Sequence, residues 1–326
     1  MRRMIIDASR AHSFNSWALV GPGAVGLYYG GLLAAAGESL HVLARSDMAA
    51  LQSQGIIISR VHSKSERSIT ETAVRPASVK RDANGIGKVD IVLIAAKSTV
   101  NESLIEPLGH LIDPKRTTIF TLQNGMGNSE FYARHFPENP ILSGLCFVCV
   151  NRVGPGVVEN YHPGRVEIGS FGDRWPELAQ AASDAFEAAG VKTFYAPSLD
   201  AALWRKLCWN VPFNGLSIAG GGISCDAILA DPSLMNRARV LMEEIRSAAR
   251  KAGHPIEDSF LDRQFEVTAT MGAYQPSSLI DFLDGRPVEV DAIWGEPLLR
   301  GRRLGVEMPT LEKLNTEIRQ ALKQRG

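Results

Sequence analysis

Residues 17–33, WALVGPGAVGLYYGGLL, leave few folds open to this chain. A short apolar run breaks into glycines at Gly21, Gly23 and Gly26, and apolar residues then resume with helical spacing. A strand that turns straight into a helix through Gly-x-Gly-x-x-Gly opens a βαβ unit. The first glycine permits the turn, the second lets a pyrophosphate approach the backbone, and the third lets helix and strand pack closely. Three such glycines also occur at plain tight turns. Here the helix has room to end at Gly37 and a second apolar run follows at Ser39–Leu43, which favours a dinucleotide site. Its loop would comprise Gly21, Pro22, Gly23, Ala24, Val25 and Gly26, with the helix N-terminus turned to the phosphates.

The ribose end selects the dinucleotide. An NAD site carries an Asp or Glu about 20 residues on, at the end of the second strand. This chain has Ala44-Arg45-Ser46 there. A guanidinium pairs with a 2′-phosphate, so Arg45 points to NADP; its plain alternative is a solvated loop arginine.

Apolar runs at Ala18–Val20, Leu40–Leu43, Val89–Ala95 and Thr117–Leu122 are spaced for a parallel sheet with crossovers, a doubly wound α/β domain. Strand-like segments follow at Ile141–Val150, Gly156–Gly169 and Val191–Ala196, with a helix-like segment at Glu177–Ala189. Beyond Pro197 the strand signals stop, and Leu203–Leu216, Met235–Ala252 and Leu311–Lys323 read as helices. The expected organisation is an extension over 1–16, a nucleotide-binding domain over 17–197 and a helical domain over 198–326.

With 35 basic and 35 acidic residues, charge gives no reason to expect nucleic acid or an anionic membrane as partner. The start, MRRMIIDASRAHSFNS, has too short an apolar core for a signal peptide, and no run is long enough to span a bilayer. A cytoplasmic protein is the expectation. Cys146 and Cys149 form a lone CxxC inside the apolar GLCFVCV, where a strand is the natural context, and no ligand cluster suggests a metal.

Ligands in open α/β sheets sit beyond the carboxyl ends of the strands. Lys97 follows VDIVLIAA and Asn124 follows IFTLQ, so both fall there, although each residue type is also common in turns. In LWRKLCWNVPFNGL, Lys206, Asn210 and Asn214 recur every four residues and share a helix face. Asparagine is a poor helix former, and a polar ligand on that face would explain two of them. On their own, Ser277 and Glu289 read as a helix cap and an exposed acid.

Taken together, GPGAVG at 21–26, Arg45, Lys97-Ser98, LQNGMGN at 122–128, KLCWNVPFN at 206–214, SSLIDFLDGRPVEVDAIWG at 277–295 and GVEMP at 305–309 resemble the ketopantoate reductase family. That resemblance implies a Rossmann domain followed by a helical domain, with the active site in the cleft between them, and NADPH-dependent reduction of 2-dehydropantoate. By position, Lys206 would be the proton donor and Glu289 the carboxylate that holds it. Asn210, Asn214 and Ser277 would bind substrate. Asn124 would serve substrate and nicotinamide, and Lys97 and Glu289 would face the cofactor. The implied partner is a small 2-oxo acid, with a homodimer left open. Pro212, between the two asparagines, is expected to disturb their aim. The serine motif reads Ser-Ser-Leu-Ile-Asp where the family often has Ser-Met-Leu-Gln-Asp, so Ser277 is the counterpart with Ser278 as fallback; the absence of a further family asparagine near Ser224 keeps open a relative acting on another 2-oxo acid. A third reading is an NADP(H)-sensing protein without turnover, against which the pair Lys206 and Glu289 argues.

Overall fold

The computed structural model describes residues 14–63 and 68–325. Of the expected extension over 1–16, residues 1–13 lie outside the described residues, and 14–16 carry no regular structure.

The first unit is built on a ten-stranded sheet. Its strands are β1 (Trp17–Val20), β2 (Leu40–Leu43), β3 (Ile56–Ser63), β4 (Ser68–Val74), β5 (Ser78–Lys80), β6 (Ile91–Ile94), β7 (Thr118–Thr121), β8 (Ile141–Gly154), β9 (Val157–Ser170) and β10 (Thr193–Tyr195). The order is β4-β3-β9-β8-β7-β6-β1-β2-β5, with β10 paired to β9. The block from β8 to β5 is parallel throughout, and β3–β4 and β8–β9 are antiparallel. Helices α1 (Ala24–Ala35), α2 (Met48–Ser53), α3 (Asn101–Leu111), α4 (Asn128–His135) and α5 (Pro176–Ala188) connect the strands. This is the expected doubly wound α/β unit.

Strand β1 shows why the sheet needs cover on both faces. Its four residues are all buried, and they alternate between two cores. Trp17 and Leu19 enter one cluster with Tyr29, Phe120 and Phe186, and Ala18 and Val20 enter another with Leu104, Leu108 and Tyr132. A parallel strand apolar at every position is the signature of that double cover.

Phe186, on α5, is the hub of the first cluster. Its ring centroid lies 5.5 Å from that of Tyr29 and 5.6 Å from that of Phe120. The Trp17 indole in the same cluster donates to Glu38 Oε2 at 2.7 Å, so its one polar atom is satisfied.

Three strands lie where the sequence suggested only a connection between Leu43 and Val89. β4 is exposed almost throughout, so it has no apolar face to give a period of two, and β5 is three residues long. Cys146 and Cys149 fall on β8, in the strand context expected of them.

The second unit is helical: α6 (Leu199–Ala219), α7 (Cys225–Ala230), α8 (Pro232–Lys251), α9 (Asp258–Ala269), α10 (Ser277–Leu283), a π-helical turn at Asp291–Gly295, α11 (Glu296–Arg303) and α12 (Pro309–Arg325). Asp231 caps α8 by accepting from Ser233 and Leu234, with Pro232 pre-setting its first turn. α6 continues through Pro212. Two of the carbonyls flanking that proline find side-chain donors, Asn210 O from Asn214 Nδ2 at 3.1 Å and Val211 O from Trp294 Nε1 at 3.0 Å. By contacts, Lys97–Thr99 and Asn124–Asn128 group with this helical unit although their neighbours in the chain belong to the sheet. Among the described residues no helix is long and apolar enough to cross a membrane.

Phe186→Ala should lower the stability of the first unit by about 3–5 kcal/mol, because it removes the ring that three aromatics pack against. Urea unfolding followed by tryptophan fluorescence measures the shift in midpoint.

Candidate active site

The glycine loop has the geometry its sequence requires. Gly21 adopts φ 89°, and a Cβ there would lie 2.2 Å from the backbone nitrogen of Ala96, so only glycine fits. A Cβ on Gly26 would meet the Gly21 carbonyl oxygen at 2.4 Å. At Gly23 the position a Cβ would fill is open, with no atom within 4 Å. α1 starts directly after it, with no side-chain cap and no acid in its first turn. Backbone amides left to an anion, beside open space on Gly23, fit a pyrophosphate. Arg45 and Ser46 are exposed just past the end of β2. Asp47, next in the chain, is buried: its carboxylate accepts from Arg152 Nη2 at 2.5 Å and Gly156 N at 3.0 Å.

In the helical unit, the Asn124 turn is locked to the π-helical turn. Gly125 has φ 83°, a Cβ on it would sit 2.3 Å from the Ala292 carbonyl oxygen, and Met126 N donates to that same oxygen at 2.8 Å. The glycine after Asn124 is therefore required by a close approach of backbones. So held, Asn124 Oδ1 accepts from Lys206 Nζ at 3.0 Å. One ammonium proton is aimed along this bond.

A second cluster centres on Lys97. The structure pairs Glu289 with it: Glu289 Oε2 lies 3.5 Å from Lys97 Nζ, and Glu289 Oε1 accepts from Ser98 N at 2.8 Å. Lys97 Nζ also donates to Asp281 Oδ2, and Asp281 Oδ1 accepts from Arg286 Nε at 3.0 Å. Both carboxylates are buried, at 5% exposure for Asp281 and 4% for Glu289. Burial pulls the Lys97 pKa down, but the Glu289 and Asp281 charges outweigh it and hold the ammonium above its ordinary range.

α6 carries Lys206, Asn210 and Asn214 on successive turns. Asn210 is half-buried and Asn214 is buried. Asn214 Oδ1 accepts from Ser278 N at 3.0 Å while its Nδ2 bonds the Asn210 carbonyl, so this side chain ties the first turn of α10 to α6. One amide proton and one lone pair remain for a ligand. Ser277 opens α10 and is exposed.

Asp281 is the group that sequence reasoning missed. Its signal was an acid in the middle of SSLIDFL, whose neighbours Leu279 and Phe282 are buried. A carboxylate in that setting needs a cation, and Lys97, far away in sequence, supplies it.

Because the folded pKa of Lys97 is raised, its contribution to stability is fully present below the ordinary lysine value of about 10.4. It disappears as pH rises through the folded value. Lys97→Met should therefore flatten the alkaline limb of a stability–pH curve above about pH 10, measured by urea midpoints from pH 8 to 11.5.

The sequence pattern of the ketopantoate reductase PanE/ApbA family matches residues 17–173, and that of its C-terminal domain matches residues 198–322. A 2-dehydropantoate 2-reductase from Nostoc sp. is 30% identical over 308 residues, covering 93% of this chain and 94% of the relative. A crystal structure of 2-dehydropantoate 2-reductase from Geobacter metallireducens superposes with a TM-score of 0.87 at 35% identity, covering 94% of this chain and 99% of that one. A D-mandelate dehydrogenase solved with NADH and anilino(oxo)acetate shares the fold at 20% identity and a TM-score of 0.84, over 95% of this chain and 99% of its own. Matches over both units, and relatives aligned nearly end to end, identify the chain as a member of the ketopantoate reductase family of nicotinamide-dependent oxidoreductases.

Proposed function

We propose that this protein reduces 2-dehydropantoate to pantoate with NADPH, in the cytoplasm, on the route to pantothenate. The observation that carries the reading is the hydrogen bond from Lys206 to Asn124 at 3.0 Å, a lysine ammonium oriented by a neutral amide, in a chain whose relatives bear that activity by name.

When bound, the nicotinamide supplies a hydride to the C2 ketone of the substrate. The chain's residues do the rest. The loop Gly21–Gly26 and the start of α1 hold the pyrophosphate. Lys206 places positive charge where the ketone oxygen gains electrons, then gives it a proton. Asn124 holds Lys206 and offers its own amide protons to the substrate. Asn210, Ser277 and the remaining capacity of Asn214 orient the carboxylate and hydroxyl of a small 2-oxo acid without adding charge. Glu289 and Lys97 form an ion pair for the cofactor side, with Asp281 fixing Lys97.

NADPH is preferred on two grounds. Arg45 stands where an NAD site has its acid. The nearby acid Asp47 is taken up by Arg152 and Gly156, so its charge is already matched. Arg45→Asp should weaken NADPH far more than NADH, since it removes a phosphate partner and adds like charge. Fluorescence titration with both cofactors measures this, and equal losses would remove Arg45 from phosphate recognition.

The proposed activity is tested by NADPH oxidation across a panel of branched 2-oxo acids, where no preference for 2-dehydropantoate would shift the assignment to a different oxo acid. In the same assay Lys206→Ala should lower kcat by about 10²–10⁴, with NADPH affinity little changed. A normal kcat with only KM raised would make Lys206 a substrate anchor.

A further inference from the structure

The sheet unit contains a buried polar network that the reading above leaves without a task. Gln123, 9% exposed, uses both protons of its amide: Nε2 donates to Ala96 O at 2.9 Å and to Asn101 Oδ1 at 2.7 Å. Its Oε1 accepts from Thr121 Oγ1 at 3.0 Å, and Thr121 Oγ1 in turn accepts from Gln123 N at 3.2 Å. The Tyr132 hydroxyl closes the network, 2.9 Å from Asn101 Oδ1 and 3.2 Å from Gln123 Oε1. Burial pushes the Tyr132 phenol well above its ordinary pKa, so it remains a donor.

The placement of these residues along the chain gives the network its meaning. Lys97–Thr99 and Asn124–Asn128 are the two short segments that leave the sheet unit. Ala96 and Asn101 flank the first of them. Gln123 immediately precedes the second, and Tyr132 lies on α4, into which that segment runs. One amide therefore grips both ends of the Lys97 segment while its own backbone starts the Asn124 segment. A surplus of buried hydrogen bonds at the one place where two functional segments begin exceeds what sheet stability needs, since β6 and β7 already pair along their length.

We propose that Gln123, with Asn101 and Tyr132, is a positioning device that sets the spacing between Lys97 and Asn124, and through Asn124 the aim of Lys206. This rests on the reading of Lys206 as proton donor. Gln123 touches no reacting atom in this scheme; it acts through the backbone it holds.

The test compares Gln123→Met, which keeps the volume and removes the amide, with Thr117→Val. Thr117 Oγ1 is fully buried and donates to Val89 O at 2.6 Å, near the amino ends of the same two strands. Both variants lose buried side-chain hydrogen bonds at the ends of the same two strands, Thr117→Val those with Val89 O and Asp113 N, so both should lower the melting temperature. Only Gln123→Met should speed amide exchange in residues 97–99 and 124–128 of the ligand-free protein. Only it should lower kcat for 2-dehydropantoate, by about tenfold or more, because misplacement by about 1 Å can cost that much.

Unchanged exchange in both segments overturns the proposal, as does a kcat equal to that of Thr117→Val. The exchange arm needs no substrate, so an inactive wild-type protein would overturn the assigned reaction without touching the network. Should Gln123→Met not fold, Tyr132→Phe removes a single hydroxyl and decides the same way: faster exchange in the two segments supports the device, and wild-type exchange overturns it.

Discussion

Two carboxylates buried close together make the sharpest demand in this molecule. Removing a carboxylate from water costs several kcal/mol unless a cation and further donors compensate it, and Asp281 and Glu289 are each about as buried as core leucines. Lys97 answers both. Arg286 shares the load on Asp281, and Ser98 N–H shares that on Glu289. The requirement acts back on the chain: Lys97 has to leave the end of β6 and travel with the helical unit, which is how its contacts group it. A short, charge-driven excursion of this kind needs fixed ends, and hydrogen bonds to Ala96 and Asn101 supply them.

The Asn124 turn meets a similar demand with packing in place of charge. Its glycine lies against the Ala292 carbonyl so closely that no side chain fits, and that carbonyl belongs to the π-helical turn just after Glu289. A π turn inserts an extra residue and leaves a carbonyl off the regular ladder, which here accepts from Met126 N. Lys97 and Asn124 are thus anchored to neighbouring parts of one short stretch, Asp281–Ala292.

What was legible in the sequence was local. The glycine loop, the strands of the parallel core and the four-residue spacing of Lys206, Asn210 and Asn214 all express a period or a turn within a few residues, and the structure has each of them. The doubly wound unit followed by helices was legible for the same reason. The exposed strand β4 was not, because a strand without a buried face has no alternation to read. The tie that Asn214 makes between α6 and α10 depends on Ser278, 64 positions away, and no spacing rule reaches that far. Asp281 and Gln123 were hidden in the same way, since each matters through a partner on another element. The family resemblance implied that Glu289 holds Lys206; the geometry instead pairs it with Lys97 and Ser98.

That pairing bears on the proposal that Lys206, and not Lys97, transfers the proton. A general acid works best when its pKa is near the working pH, so that it gives up its proton to a developing oxyanion and recovers it readily. Lys97 is displaced in the opposite direction. Two carboxylates hold its proton more firmly than water would, and giving it up would leave both acids buried without their cation. It is suited to be a fixed positive charge. Lys206 donates to the neutral oxygen of Asn124, a partner that directs the ammonium and carries no net charge itself. In the proposed mechanism an amide at 124 directs the Lys206 ammonium without itself contributing a carboxylate.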